Sequence, residues 1–486
     1  RLGWKDPIQL QISRSALLGI AGIAWVIFFR YFRFSSVPPE MNSDHAEKIM
    51  DVLRVLSGQT MIFFPSNGGR EALQFYLVAG VHKYLGVPLG FDILKLVTIT
   101  VGFLALPYIY LIGKEIANRR VGLLAFLFAG IAYWPNVVSR AAMRLPFFML
   151  FTAVTLYFLI RGIRHSRRND FIWAGIALGL SLYGYSADRI LPLVVLLALG
   201  LYLLHRQSHG RKQFTIIATL ALIFVSFIVF LPLLRYILSE PDAFLFRTLT
   251  RMGGLERPLE QSPWLVFLDN LGRALAMFSW SDGEVWVISI PHHPALGVVA
   301  GALFYLGATT VYIRYMRQRN WLDLFWLLSI PALMLPSILA LAFPHENPNL
   351  YRTGGAIVPV FLMVAIALDT LMQALVSGLP KRTGPRLAWG LALLLFTISS
   401  LQDYHLVFNR YYQQYKMSSW NTSEMGQVAR DFIDSIGSPD TVWVIGYAHW
   451  VDTRLVALNA GYPGRDFQIF VEQLESTLPE KRAKLF

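Results

Sequence analysis

This chain of 486 residues predicts an all-α polytopic membrane protein. The expected architecture is about 11 transmembrane helices with external juxtamembrane helices, followed by a small external α/β segment at the C-terminal end. Three observations carry it. Hydrophobic residues make up 55% and charged residues 15%, whereas soluble domains carry about 25% charge. Apolar runs recur at the roughly 20-residue length that crosses a bilayer. The 13 Trp, 21 Tyr and 34 Phe suit two water–lipid interfaces, where amphipathic rings settle.

Taken in order, spans are expected near 14–32, 94–113, 121–136, 145–162, 170–185, 189–205, 214–237, 295–313, 321–342, 355–377 and 386–402. No small-residue cleavage pattern follows the run Ser15–Phe29, which favours a retained anchor over a signal peptide. The segment Glu71–Leu85 is short and carries Glu71, His82 and Lys83. Charge bias arbitrates its fate, because Lys and Arg in short loops mark the cytoplasmic side. If it does not cross, six basic clusters share one side: Arg1/Lys5/Arg14, Lys114/Arg119/Arg120, Arg161/Arg164/Arg167/Arg168, Arg206/Arg211/Lys212, Arg314/Arg317/Arg319 and Lys381/Arg382/Arg386. It is therefore expected as a juxtamembrane or half-inserted helix. The net charge of +13 is assigned to these loops and not to a nucleic-acid partner.

The N-terminus is then cytoplasmic and the C-terminus external, in a cell (plasma or inner) membrane. The external side receives 33–93, 238–294, a loop near 343–354 and everything after about 403. The division is a membrane domain over 1–402 and an external segment over 403–486, in which a helix at Ser423–Ser435 and a strand-like "TVWVIGY" read as a small α/β unit. "SPWLVFLDNLGRALAMFSW" spaces Trp264, Phe267, Leu268, Leu271, Leu275 and Phe278 as on one face of an interfacial helix. With no cysteine, disulfides and thiolate metal sites are excluded.

Several external clusters carry chemistry. From Asp44 to Ser57 an amphipathic helix places Asp44, Glu47 and Asp51 on one face, opposite Ala46, Ile49, Met50, Leu53 and Leu56. Asp44 and Glu47 also have the spacing of an N-cap and its partner. In "FFPSNGGREALQFYL", Pro65 to Gly69 form a turn, with Arg70 and Glu71 either its polar rim or part of a site. Arg140 and Arg144, one turn apart, are cations against the charge bias, suited to phosphate or to a lipid headgroup. "YGYSADRILP" brings Tyr183, Tyr185, Asp188 and Arg189 to the same face, and "FPHENPNLYRTGG" adds Glu346, Tyr351 and Arg352. His292 and His293 read as a polar loop or, less simply, a metal site. The middles of the spans are nearly free of charge, which argues against a transporter.

In order along the chain, "SDHAEKIMDVLRVLSGQ", "GREALQFYLVAGVHKYLG" and "ANRRVGLLAFLFAGIAYWPNVVSRAAMR" look like the membrane-embedded C-type glycosyltransferases. More narrowly, the chain resembles the bacterial relatives of dolichyl-phosphate-mannose protein mannosyltransferases, family 39, over about residues 14–205. The resemblance implies a polyprenyl-phosphate-linked sugar as donor and a hydroxyl of a protein or lipid as acceptor, with transfer by inversion at the external face. It casts Asp44 as general base, with His45 where the family usually has Glu; His45, Glu47 and Glu71 are the candidate assisting groups. Arg70 stands in for a family Lys and joins Arg140, Arg144 and Arg352 as phosphate contacts; Tyr183, Tyr185 and Asp188 are the substrate-binding candidates. A divalent cation (Mg or Mn) assists some relatives, although no ligand set is visible here. The alternative is a catalytically degenerate accessory subunit of a membrane assembly.

Overall fold

The computed structural model describes residues 14–253, 262–446 and 451–486. The Arg1/Lys5 basic cluster and Tyr447 of the strand-like run lie outside them. The elements in chain order are α1 (Arg14–Tyr31), α2 (Ser43–Leu56), a hairpin of β1 (Phe63–Phe64) and β2 (Arg70–Glu71), and α3 (Leu73–Leu85). Next come α4 (Phe91–Ile116), α5 (Arg119–Ile131), α6 (Tyr133–Arg140), α7 (Pro146–His165), α8 (Arg168–Ser181), α9 (Leu191–Leu204) and α10 (Lys212–Ser239). They are followed by α11 (Pro241–Met252), α12 (Pro263–Ala276), α13 (Val298–Gln318), α14 (Trp321–Ile338), α15 (Ile357–Gly378) and α16 (Gly384–His405). A small unit completes the chain with α17 (Tyr411–Ser418), α18 (Thr422–Ser435), β3 (Val444–Ile445), α19 (Thr453–Asn459) and β4 (Gln468–Ile469).

Among the described residues, 8 helices are long and apolar enough to cross a membrane, or 9 if α5 and α6 form one span bent by 54°. The chain is thus a multi-pass membrane protein, but the expected 11 spans are more than these helices supply. The shortfall lies in α1, whose apolar part is Gly19–Tyr31, and in α8. With 14 residues, α8 reaches about 21 Å at 1.5 Å per residue, short of roughly 30 Å of hydrocarbon. The α5–α6 bend falls at Ala132, which is extended, just ahead of Pro135, a residue that cannot donate to a continuing helix. As expected, the segment beginning at Glu71 makes a short helix, α3, beside α2 and α4.

Buried cations hold the chain that leads to α2. Arg140 donates from Nη2 to the carbonyls of Phe29 (2.8 Å) and Phe32 (2.8 Å), closing the end of α1. Lys95 Nζ donates to the carbonyls of Ser35 (2.7 Å) and Pro38 (3.0 Å). Together they satisfy backbone acceptors that no helix can serve. Unlike the flat interfacial helix expected, α2 is embedded in protein: His45, Lys48 and Asp51 are buried along with Ala46, Ile49 and Val52.

At the opposite end of the bundle the basic turns gather. Arg211 donates to the Arg164 carbonyl (2.9 Å), Gln207 to that of Arg319 (3.1 Å), and Arg120 pairs with Asp369 (3.0 Å). The C-terminal unit has its own core of Ala429, Val442, Val456, Ala457, Ala460 and Phe467, with β3 and β4 parallel. It docks beside α2, where Tyr415 Oη donates to the Glu40 carbonyl (2.9 Å) and the Ser423 amide to the Glu40 carboxylate (3.2 Å).

Candidate active site

Two-residue strands decide the geometry. In the antiparallel hairpin Phe63 faces Glu71 and Phe64 faces Arg70. Consecutive side chains of a strand point to opposite faces, so Arg70 and Glu71 serve different sides. Asn67 (φ 51°), Gly68 (φ 74°) and Gly69 (φ 89°) make the turn, and a Cβ on Gly69 would lie 2.6 Å from the Phe63 ring.

On one side Arg70, itself buried, donates to Asp44 Oδ1 (3.0 Å) and approaches Asp51 (3.8 Å). Asn67 Nδ2 also donates to Asp44 Oδ1 (2.9 Å). Lys48 Nζ donates to the Asp44 backbone carbonyl (2.8 Å). The Lys48 ammonium beside it, with Arg70 and Arg247, holds the half-exposed Asp44 carboxyl well below the usual carboxylate range. Burial in turn holds Lys48 down to about 7. Asp44 opens on a cavity of about 430 Å³ walled by Asn42, Ser43, Glu47, Asn67, Trp286, Ser419, Trp420 and Arg454.

On the other side Glu71, buried, takes Arg144 (3.1 Å) and Arg189 (3.2 Å) on its two oxygens. Arg189 also donates to Thr248 (2.9 Å) and lies over the Phe244 ring. Beyond it opens a cavity of about 210 Å³ lined by Tyr185, Arg189, Arg247, Arg251, Tyr351 and Arg352, with Ile190, Met252 and Leu339. Four guanidinium groups and no carboxylate line it. Glu346 holds two of them from behind, Arg251 (3.0 Å) and Arg352. Arg352 Nη1 is buried without a hydrogen-bond partner. The Arg247 side chain makes no ion pair or hydrogen bond among the described residues. Such donor excess in a partly apolar pocket suits an anionic head on a lipid tail.

Several candidates take other places. The expected cap of Asp44 with Glu47 is not formed: Asn42 is the cap position, and its amide donates to His45 Nδ1 (3.0 Å). His45 Nε2–H donates to the Ala141 carbonyl (2.9 Å), so its ring has no nitrogen left for catalysis, and burial lowers it to about 3. Glu47 pairs with Arg454 of the C-terminal unit. Arg140 is spent on backbone carbonyls at the end of α1 and lines neither of these two cavities, and Arg70 faces Asp44 and not the arginine cavity. Glu71 positions arginines. Tyr183 Oη, flanking Pro232, is inserted between the Val229 carbonyl (2.8 Å) and the Leu233 amide (3.3 Å) of α10, which is a structural duty. Asp188 is fully buried, both carboxylate oxygens lacking a partner, and does not line the cavity. Of the expected donor set, Arg352 and Tyr185 line the cavity and Arg144 stands beside it through Glu71.

Sequence reasoning missed Arg247, Arg251, Lys48 and Arg454. The first two had a signal, since "PDAFLFRTLTRM" sets them one turn apart behind a Pro and an acidic first turn. Among the described residues no cluster of three or more His, Asp or Glu groups could hold a metal. Asp44, Glu47, Glu71 and Glu346 are each engaged by an arginine and Asp188 lines neither cavity, so the carboxylates of the two cavities do not fit a divalent cation.

Residues 73–236 match the family model of dolichyl-phosphate-mannose-protein mannosyltransferase. No curated protein matches the chain by sequence. The oligosaccharyltransferase of Archaeoglobus fulgidus, in complex with Zn and sulfate, is similar in structure with a TM-score of 0.56 at 12% identity, covering 85% of this chain and 55% of that one. AglB of the same organism, with an inhibitory peptide and a dolichol-phosphate, gives 0.57 at 12% identity, over 93% and 64%. ArnT from Cupriavidus metallidurans bound to undecaprenyl phosphate gives 0.56 at 13% identity, over 93% and 86%. The chain thus spans little more than half the length of the first archaeal enzyme and most of the length of ArnT. The sequence resemblance holds: the chain matches the mannosyltransferase family model over residues 73–236 and shares the fold of AglB and ArnT over most of its length.

Proposed function

We propose that this protein moves a sugar from a polyprenyl-phosphate donor to an acceptor hydroxyl at the external face of the membrane, with inversion. The observation that carries the reading is the hairpin, which sets Asp44 on one side and an arginine-lined cavity on the other. Fold relatives bound to undecaprenyl phosphate and in complex with a dolichol-phosphate support the donor class.

In this reading the donor's phosphate lies against Arg247, Arg352 and Arg189, its tail leaves past Met252 and Leu339 toward lipid, and its anomeric carbon is presented toward Asp44. The acceptor oxygen attacks that carbon as Asp44 takes its proton, and the phosphate departs with the bonding electron pair, stabilised by the arginines. Inversion follows from a single displacement. Asp44 alone is ionised but weakly basic, because cations surround it. The bound anion offsets the Arg247 charge that Asp44 feels, so the carboxylate grows more basic once the donor is seated.

The test is sugar transfer from a panel of radiolabelled polyprenyl-phosphate sugars by the purified protein in membranes, wild type beside Asp44→Asn. A folded variant slowed by about 10²–10⁴-fold is expected, the usual worth of a general base. Equal transfer by both proteins would remove Asp44 from the chemistry. The absence of turnover from every donor would point to an accessory subunit of a membrane assembly. The unusual His45 does not favour that alternative, since its ring is used by backbone groups.

A further inference from the structure

We infer that the cavity between Asp44 and the C-terminal unit receives a neutral carbohydrate, so that the acceptor hydroxyl belongs to a sugar. This rests on the transferase reading above and assigns the substrate class of its second cavity. Two half-buried indoles, Trp286 and Trp420, wall a space of about 430 Å³ that also holds Asp44. Trp286 is fixed in place: its ring lies 5.2 Å from that of Tyr415, edge to face, and the next residue's carbonyl accepts from Tyr411 Oη (2.7 Å). The negative face of an aromatic ring attracts polarised hydrogens, and a pyranose presents C–H faces of that kind. Its hydroxyls both donate and accept, and Asn67, Ser43 and Ser419 answer in both senses.

Charge and backbone argue against the alternatives. The lining carries two carboxylates, Asp44 and Glu47, against one guanidinium, Arg454. That guanidinium is already engaged by Glu47 and by Asp452 (2.7 Å), so the lining offers a phosphorylated or acidic acceptor no unengaged cation. A peptide brings a backbone donor and acceptor at every residue that need partners once buried, most simply from a sheet edge. No residue of β1, β2, β3 or β4 lines this cavity. The bond formed joins the acceptor sugar's oxygen to the donor's anomeric carbon; the bond broken is that carbon's link to phosphate oxygen; and the proton goes to Asp44.

Saturation-transfer NMR on the full chain in lipid nanodiscs tests this without any donor. The probes are neutral gluco-, manno- and N-acetylglucosamine-based trisaccharides and a Ser/Thr-containing octapeptide. At least one trisaccharide is expected to bind, to weaken about tenfold or more in both Trp286→Ala and Trp420→Ala, and to be retained in Trp286→Phe. The Phe variant separates a ring contact from a folding defect. Binding of the peptide alone, binding of no saccharide, or saccharide binding unchanged in both Ala variants would each overturn the inference. Saccharide binding with no transfer from any donor would leave the inference standing while the transferase reading failed. Transfer to the octapeptide without saccharide binding would do the reverse.

Discussion

Asp44 and His45 are adjacent on one helix, yet one opens on a cavity and the other is enclosed, and their surroundings fix opposite behaviours. Lys48 is the largest cause of the depressed Asp44 carboxyl, with Arg70 and Arg247 adding to it. Removing that cation in Lys48→Met must raise the Asp44 pKa, so the acid limb of the pH–rate profile for transfer is expected to move upward in the variant. A limb that stays in place would show that another group titrates. For His45, burial lowers the folded-state value to about 3 from the 6.5 of a free imidazole. Between those values the unfolded chain binds more protons, so stability is fully present above about 6.5 and is lost as pH falls toward 3. The slope approaches about 1.4 kcal/mol per pH unit. His45→Gln can still accept from Asn42 and donate to Ala141. Wild-type thermal stability relative to the variant is therefore expected to fall as pH is lowered across this acid window, and a pH-independent difference would mean that His45 is already charged in the folded protein.

The hairpin shows how a short element can govern a large site. Gly69 sits at φ 89° with the Phe63 ring where a Cβ would go. Gly69→Ala is expected to cost about 1–3 kcal/mol and, by shifting the adjacent Arg70 and Glu71, to slow transfer as well. Thermal unfolding in detergent together with the transfer rate checks this, and a destabilised variant with an unchanged rate would detach the hairpin from the chemistry. Elements of this kind were the hardest to read from sequence. Long apolar runs announced α4, α7, α10 and α13 because their period and length exceed what chance supplies. A pair of two-residue strands has no period to detect, so Arg70 and Glu71 looked like one polar rim when they serve opposite sides. The α11 helix was lost inside a stretch of external segment to which no helix was assigned, and two of the four guanidinium groups of the cavity of about 210 Å³ went with it. Asp44 drew attention because an acidic residue follows the first span at a position the resemblance picks out; Arg70 and Lys48, which bond to it, are near in sequence, whereas Arg247, whose charge it feels, is not.

At the scale of the whole molecule, the two cavities and the C-terminal unit lie at one end of the helices and the basic turns at the other. The pairing of Glu47 with Arg454 joins residues 407 apart in sequence, a contact that no local pattern encodes. Sidedness, by contrast, is argued from local charge alone: Arg164, Arg211 and Arg314 cluster at one end of the bundle, around a common cavity of about 370 Å³, and basic ends face the cytoplasm. The donor reading depends on that orientation, since a lipid-linked sugar and its acceptor must meet on the same side as Asp44. Because the chain has no cysteine, single cysteines can report it without background. Ser57, at the end of α2, and Ser418, at the end of α17, are exposed at the site end, and Thr383, between α15 and α16, is exposed at the basic end. A membrane-impermeant maleimide applied to intact cells is expected to label Ser57→Cys and Ser418→Cys, and Thr383→Cys only after permeabilisation. The opposite pattern would place the site in the cytoplasm and require a donor displayed on that leaflet. Labelling of Ser57→Cys and Thr383→Cys together in intact cells would contradict the division of the molecule into a site end and a basic end separated by the bilayer.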